Sequence, residues 1–408
     1  MDKPKPVIYF DNAATSWPKP PCMGEAMLYF LNEAGANPGR SGHHMAVESA
    51  RIVYEARERV AELFNASDPL HVVFGANITE MLNLALRGYL RPGDHVITSS
   101  MEHNSVMRPL RDLEQAGVAL SIVSCSPEGY LNPAHLEASI QPNTSMIVLN
   151  HGSNVVGTLL PVAEVGAIAR KHNVLLLVDA AQTAGAYPID VQSDQIDLLA
   201  FTGHKSLYGP MGTGGLVFGD RVDPDRLKAL KHGGTGSHSE AEQQPDFLPD
   251  KYESGTPNGV GLAGLEASLR WIMMHGVDAI RCHEAGLAQQ LIDGLCSIPG
   301  VKVYGSLDAN RQTATVSFNI GNLAPSEVGM RLDEEYGILC RVGLHCAPAA
   351  HKTLGTFPTG VVRFGLGVWN TCQEVELALD AISKLAEKQS DRTMDNIPCA
   401  LYQLCDPH

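Results

Sequence analysis

Between residues 71 and 219 short runs of Val, Leu and Ile alternate with helical patterns, and this alternation limits what the chain can become more than any other feature. "HVVFGAN" reads as a strand and turn, followed by the helix "ITEMLNLALRGYL", which stops before Arg91-Pro92-Gly93-Asp94. "HVITSSMEHNS" reads as the next strand and its loop, and "VMRPLRDLEQAG" as a helix. "SMIVLNHGSNVVGT", "NVLLLVDAAQTAG", "IDLLAFTGHKS" and "GTGGLVFG" supply further short strands. Strands and helices at this spacing predict an α/β fold whose sheet is largely parallel and covered on both faces.

From about Val260 the pattern changes to long helices, "GVGLAGLEASLRWIMMHG" and "HEAGLAQQLIDGLCSI". Strands near Val301 and in "TATVSFNI" follow, with a last helix from Gln373 to about Lys388. We therefore expect a large domain over residues 16–258 and a smaller α+β domain built from residues 1–15 and 259–390. Residues 391–408 break the helical pattern and read as a C-terminal tail. The 408 residues, 44% hydrophobic and 18% charged, suffice for at least one large core.

A net charge of −15 argues against a nucleic-acid or anionic-membrane partner, since either needs a basic patch. "MDKPKPVIYFDNAAT" has no long apolar region, so a cytoplasmic protein is expected. Nine cysteines without a repeating spacing do not suggest a disulfide framework. Cys340 and Cys346, with His345 and His351 nearby, lack the tight paired clusters of a zinc site, so no metal is expected.

Ligands of open α/β sheets bind beyond the carboxyl ends of the strands, and the polar residues collect there. One strand end carries Asp179 and Gln182, another Thr202, His204 and Lys205. Others lead to His103 and Asn154, and Asn77, Ile78 and Thr79 open a helix. Taken singly these residues have plain readings: a strand-end Asp caps turns, a lone His is usually a hydrogen-bonded surface or core residue, and Lys205 could be a surface cation. Together they suit pyridoxal phosphate, which needs an amine, an anion for its ring nitrogen, a stacking group and a cradle of N–H groups for its phosphate. Lys205, Asp179 and His103 match the first three, and Thr79, Thr202 and His204 the phosphate and hydroxyl contacts.

The segments "YFDNAAT", "VDAAQTAG", "FTGHKSLYGPMGTGGL", "YESGTPN" and "RVGLHCAPAAHKTLGT" resemble those of the cysteine desulfurase family, a class V aminotransferase-like branch of the fold type I pyridoxal phosphate enzymes. The likeness runs in order from about residue 8 to about residue 388. The short Arg-x-Gly-x-His-Cys-Ala form resembles the group with SUF-type desulfurases and selenocysteine lyases. The resemblance implies that Lys205 forms the Schiff base, that Asp179 and Gln182 contact the ring, and that His103 stacks. It implies that Asn154 touches substrate or cofactor hydroxyl, that Thr79, Thr202 and His204 surround the phosphate, and that Asn77 and Ile78 are further cofactor contacts. Arg363 then holds the carboxylate of L-cysteine, and Cys346 takes its sulfur as a persulfide, releasing L-alanine. Thr256 in "SGTPN" reaches the phosphate of a neighbouring subunit, implying a homodimer, and a sulfur-acceptor protein is an implied partner. Leu344 stands where the SUF-type pattern has a second His, which leaves open L-cysteine against selenocysteine and the link to iron–sulfur cluster assembly. Cys340, Cys399 and Cys405 read as structural or as sulfur relays. A selenocysteine lyase, an aminotransferase, a β-lyase and a non-catalytic sulfur-carrier-binding scaffold remain the alternatives.

Overall fold

Seven of the strands assemble into one sheet in the order Val72–Gly75, Gly214–Phe218, Leu198–Thr202, Leu175–Asp179, Thr144–Asn150, His95–Ser99 and Ala119–Val123. They belong to a computed structural model that describes residues 7–395 apart from 40, 224 and 239. Gly214–Phe218 runs antiparallel to both of its neighbours, and every other pairing is parallel. The strands sort their side chains onto two cores. Ile97, Ile147, Leu176, Val178, Leu199, Phe201 and Val217 face one. Val96, Met146, Val148, Leu175, Leu177, Leu198, Leu216 and Phe218 face the other. Two buried faces explain the uninterrupted apolar runs of the sequence. The edge strand Ala119–Val123, which the apolar runs did not reveal, is partly exposed.

A third core joins Ile8 and Phe10 to residues between Leu287 and Ala386. It covers an antiparallel four-stranded sheet in the order Arg341–Gly343, Val361–Gly365, Thr315–Ile320 and Val301–Tyr304. Ile8–Tyr9 pairs in parallel with Ile338–Leu339, and Ile8 and Phe10 pack into the C-terminal core.

Two expectations shift. Helix Gly259–His275, assigned from the change of pattern to the small domain, places Leu262, Leu265, Leu269 and Ile272 in the large-sheet core. On another side its Ala263 packs with Phe30, Ala34 and Ile52. An apolar run says that a helix is buried, not against which sheet. The last helix, Cys372–Asp395, continues five residues into the stretch expected as a tail. Cys399 and Cys405 lie outside the described residues. Among those residues no helix is long and apolar enough to cross a membrane.

Parallel register, and the reversed direction of Gly214–Phe218, bring the carboxyl ends of the other strands close to one edge, where Gly214 begins its strand. Asn150 pairs with Asp179, Asp179 with Ala200, and Gly75 and Thr202 both pair with Gly214. The loops that follow these strands therefore open onto one edge of the sheet.

Candidate active site

At that edge lies a cavity of about 150 Å3 lined by Asn77, Ile78, Thr79, His103, Asn154, Asp179, Gln182, Thr202, His204 and Lys205. Ser105, Asn150, Gly152 and Ala181 complete it, and none of these four was expected. Lys205 follows the strand Leu198–Thr202. Burial pulls its amine down to about 8, against the attraction of Asp179 and with help from Arg363 and Arg341. Asp179 ends its strand at 4% exposure and accepts from the Ala181 N–H at 2.9 Å. Burial raises its carboxyl above the usual range, while that N–H and Lys205 oppose the rise.

His103 caps helix Asn104–Gln115, its Nδ1 accepting from the Ser105 N–H at 3.0 Å. That bond assigns the proton of the neutral ring to Nε2. Burial first, then the positive charges of Lys205, Arg341, Arg108 and Arg363, bring its pKa down to about 4. The ring is neutral at physiological pH.

Asn77 caps helix Ile78–Tyr89 by accepting from the Glu80 N–H at 3.0 Å. The first-turn N–H groups of such a helix have no intrahelical acceptor and draw anions. Thr79 Oγ1 and Ser105 Oγ, 2.8 Å apart, tie this helix start to the one capped by His103. Gln182 donates to the Ala13 carbonyl at 3.0 Å, and Thr202 Oγ1 donates to the Thr213 carbonyl at 3.4 Å. Three buried polar atoms on the cavity residues have no partner among the described residues: Asn150 Oδ1, Asn154 Oδ1 and His204 Nδ1. Such atoms are costly to leave unpaired unless a ligand or water meets them.

Asn154 leads from the cavity to the remaining expected residues. Its carbonyl accepts from Arg363 NH1 at 2.9 Å, and its amide donates to the His345 carbonyl at 2.7 Å. Arg363, 1% exposed, also donates to Asp11 Oδ1 at 2.9 Å and keeps Nε unpaired. The Cys346 carbonyl accepts from Asn104 N at 2.9 Å, beside His103. His345 and Cys346 both adopt left-handed backbone, with φ of 47° and 58°. Two successive non-glycine residues there imply strain held by these bonds. The result is a short, pinned turn that leaves Cys346 exposed. Arg341 NH2 stands 3.6 Å from its sulfur. Cys340 is a different kind of group. It packs against the third core, and burial pushes its thiol up to about 12.

Thr256 is not in the cavity. It lines a separate cleft with Arg57, Phe74, Tyr252 and Glu253, exposed, with Asn37 Nδ2 at 3.3 Å from its hydroxyl. Asp11, Arg341 and Glu102 also escaped the sequence reading. Asp11 and Arg341 lie inside quoted motifs, yet their roles depend on register, since Arg341 sits directly opposite Arg363 across an antiparallel pair. Glu102, fully buried, accepts from Ser99 Oγ at 2.6 Å and from Asn150 N at 2.9 Å. Burial pushes its carboxyl up to about 8.

Comparison with known proteins places the chain in a family. The class-V aminotransferase family model matches residues 8–378. A probable cysteine desulfurase of Methanothermobacter thermautotrophicus is 35% identical over 382 residues, covering 93% of this chain and 94% of the relative. The cysteine desulfurase of Serratia proteamaculans is 30% identical, with 93% and 94% covered. Among solved structures, the apo cysteine desulfurase of Thermococcus onnurineus superposes with a TM-score of 0.88 at 32% identity, covering 94% of this chain and 95% of that one. Escherichia coli CsdA, a cysteine desulfurase in its S-sulfonic acid form, gives 0.83 at 29% identity with 94% and 95% covered. The sheet order and this similarity make the fold that of the fold type I pyridoxal phosphate enzymes, and the chain belongs to the class-V aminotransferase family, in its cysteine desulfurase branch.

Proposed function

We propose that this protein is a pyridoxal phosphate-dependent cysteine desulfurase that converts L-cysteine to L-alanine and collects the sulfur as a persulfide on Cys346. One observation carries the reading. Asn154 joins the cavity holding Lys205 and Asp179 both to the buried Arg363 and to the pinned turn that presents Cys346. The donor set also fits the cofactor. A buried carboxyl faces an amine, a helix start offers N–H groups, and the unpaired Asn154 Oδ1 and His204 Nδ1 await polar partners.

Pyridoxal phosphate, when bound, supplies an electron sink for the substrate α-carbon. Asp179 would face its ring nitrogen, His103 its ring, and Ile78, Thr79, Thr202 and His204 its phosphate and hydroxyl. Lys205 would supply the amine that holds the cofactor and the base for the substrate α-proton. With a pKa near 8 it holds a usable neutral fraction at physiological pH. Arg363 retains its Nε–H for the substrate carboxylate. The Cys346 thiolate then attacks the substrate sulfur. The new S–S bond forms as the carbon–sulfur bond breaks, its electron pair stays with the substrate, and protonation there gives alanine. His103, with its proton on Nε2, is placed to exchange protons with the substrate thiol.

Thr256, remote from its own cavity, reaches the phosphate site of a second subunit in a homodimer. A sulfur-acceptor protein takes the persulfide from the exposed Cys346. The test is product analysis with L-cysteine and with L-selenocysteine. Alanine without pyruvate supports the reading, whereas pyruvate and free sulfide indicate a β-lyase.

A further inference from the structure

The N-terminal segment "YFDNAATSWPKP" holds the backbone on which Lys205 is mounted. The His204 carbonyl accepts from the Ser16 N–H at 3.1 Å, from Thr15 Oγ1 at 3.0 Å and from Lys19 Nζ at 2.6 Å. Lys19 Nζ also donates to Ser16 Oγ at 2.8 Å, and that hydroxyl donates onward to the Lys205 carbonyl at 2.7 Å. A relay of two bonds thus runs from the Lys19 ammonium to the peptide of Lys205.

Lys19 is placed unusually for a lysine. It is half-buried, and among the described residues no carboxylate pairs with it. Burial alone accounts for the fall of its pKa to about 8. A cation taken out of water costs free energy unless its surroundings compensate. Here they are two neutral oxygens, leaving a net positive charge. That charge acts on His204, whose ring nitrogen Nδ1 is unpaired at the cavity.

We infer that Lys19 is a positioning residue of the active site, fixing through Ser16 the backbone that carries Lys205 and adding positive charge beside His204, where a phosphate binds. This assignment rests on the cofactor reading above. The proposed role needs a donor and a charge together, which separates it from a packing role for the aliphatic stem. Arginine retains both, whereas methionine retains only the stem.

The experiment uses the full-length protein as wild type, Lys19→Met and Lys19→Arg, each stripped of cofactor and titrated with pyridoxal phosphate. Borohydride trapping with peptide mass analysis follows, together with kcat and KM for L-cysteine and the unfolding midpoint of the stripped protein. Lys19→Met is expected to keep the trapped link on Lys205 and the wild-type midpoint. Its pyridoxal phosphate affinity falls by about tenfold, the worth of one charge-assisted hydrogen bond. Its kcat falls while KM stays within about twofold, and Lys19→Arg recovers most of both losses. Wild-type affinity and kcat in Lys19→Met overturn the assignment. So does a loss that follows a lowered midpoint and is not recovered by Lys19→Arg, because Lys19 is then structural. Absence of any trapped link in the wild type refutes the cofactor reading itself, and with it this assignment.

Discussion

Replacing Arg363 tests how the site selects its substrate. The side chain is 1% exposed and spends two donors on the Asn154 carbonyl and Asp11, each at 2.9 Å. Its Nε–H has no partner among the described residues and, with the N–H groups not spent on those two bonds, is available to an incoming carboxylate. A hydrogen bond between charged groups contributes about 1.5–3 kcal/mol, so Arg363→Ala should raise the KM for L-cysteine roughly 10- to 100-fold. The same substitution leaves the buried Asn154 carbonyl unpaired, a stability cost of about 1–3 kcal/mol. Denaturant unfolding separates the two effects, because the KM change persists at temperatures where the variant is fully folded. Arg363→Lys should recover only part of the affinity, since an ammonium cannot keep both protein bonds and still present a fork to the substrate. Cysteamine, which lacks the carboxylate, is the control. Were wild type to use cysteamine as well as L-cysteine, or Arg363→Ala to keep its KM, the assignment of Arg363 would fail.

The purified protein should be yellow, and borohydride should fix the cofactor to Lys205; Lys205→Ala loses the fixed link while retaining some cofactor through the start of helix Ile78–Tyr89, as absorbance and mass analysis report. Since the Lys205 amine titrates near 8 and only its neutral form attacks, cofactor attachment to the stripped protein should speed up with pH and level off above that value; a pH-independent rate removes Lys205 from the role. His351 is buried, bonded through Nδ1 to Thr356 Oγ1 at 2.7 Å, and burial lowers its pKa to about 4. Its stability contribution is therefore full above the unfolded value of about 6.5 and is lost as pH falls from there toward 4. Unfolding midpoints from pH 7 to about 5 should fall less steeply in His351→Gln than in wild type, and identical slopes would contradict the burial argument.

The sheet was legible because strands buried on both faces must be apolar throughout, and the cavity because its residues sit at the ends of those strands. Asp179 and Lys205 could be placed in one crevice from strand order alone. Cross-strand register is not written in any local pattern. Thus the pairing of Arg341 with Arg363, and the contact of Arg341 with Cys346, emerged only from the structure. Asp11 and Lys19 were hidden for a related reason, since each meets its partner across more than 180 residues of chain. Helix Gly259–His275 misled because hydrophobicity measures burial without naming the neighbour.

The sulfur step has one direct measurement. Wild-type protein is incubated with L-cysteine, its free thiols are alkylated, and its peptides are weighed, alongside alanine assays on wild type and Cys346→Ala. One added sulfur on the peptide containing Cys346 is expected. Cys346→Ala should still show the substrate-induced change in cofactor absorbance, because the Lys205 chemistry precedes sulfur transfer, while forming neither alanine nor persulfide. Both proteins should also be given selenocysteine, whose selenium leaves more readily and needs less help from the thiol. Full turnover of L-cysteine to alanine by Cys346→Ala, with no sulfur on the wild-type peptide, would contradict the persulfide mechanism and indicate a lyase that uses no protein thiol.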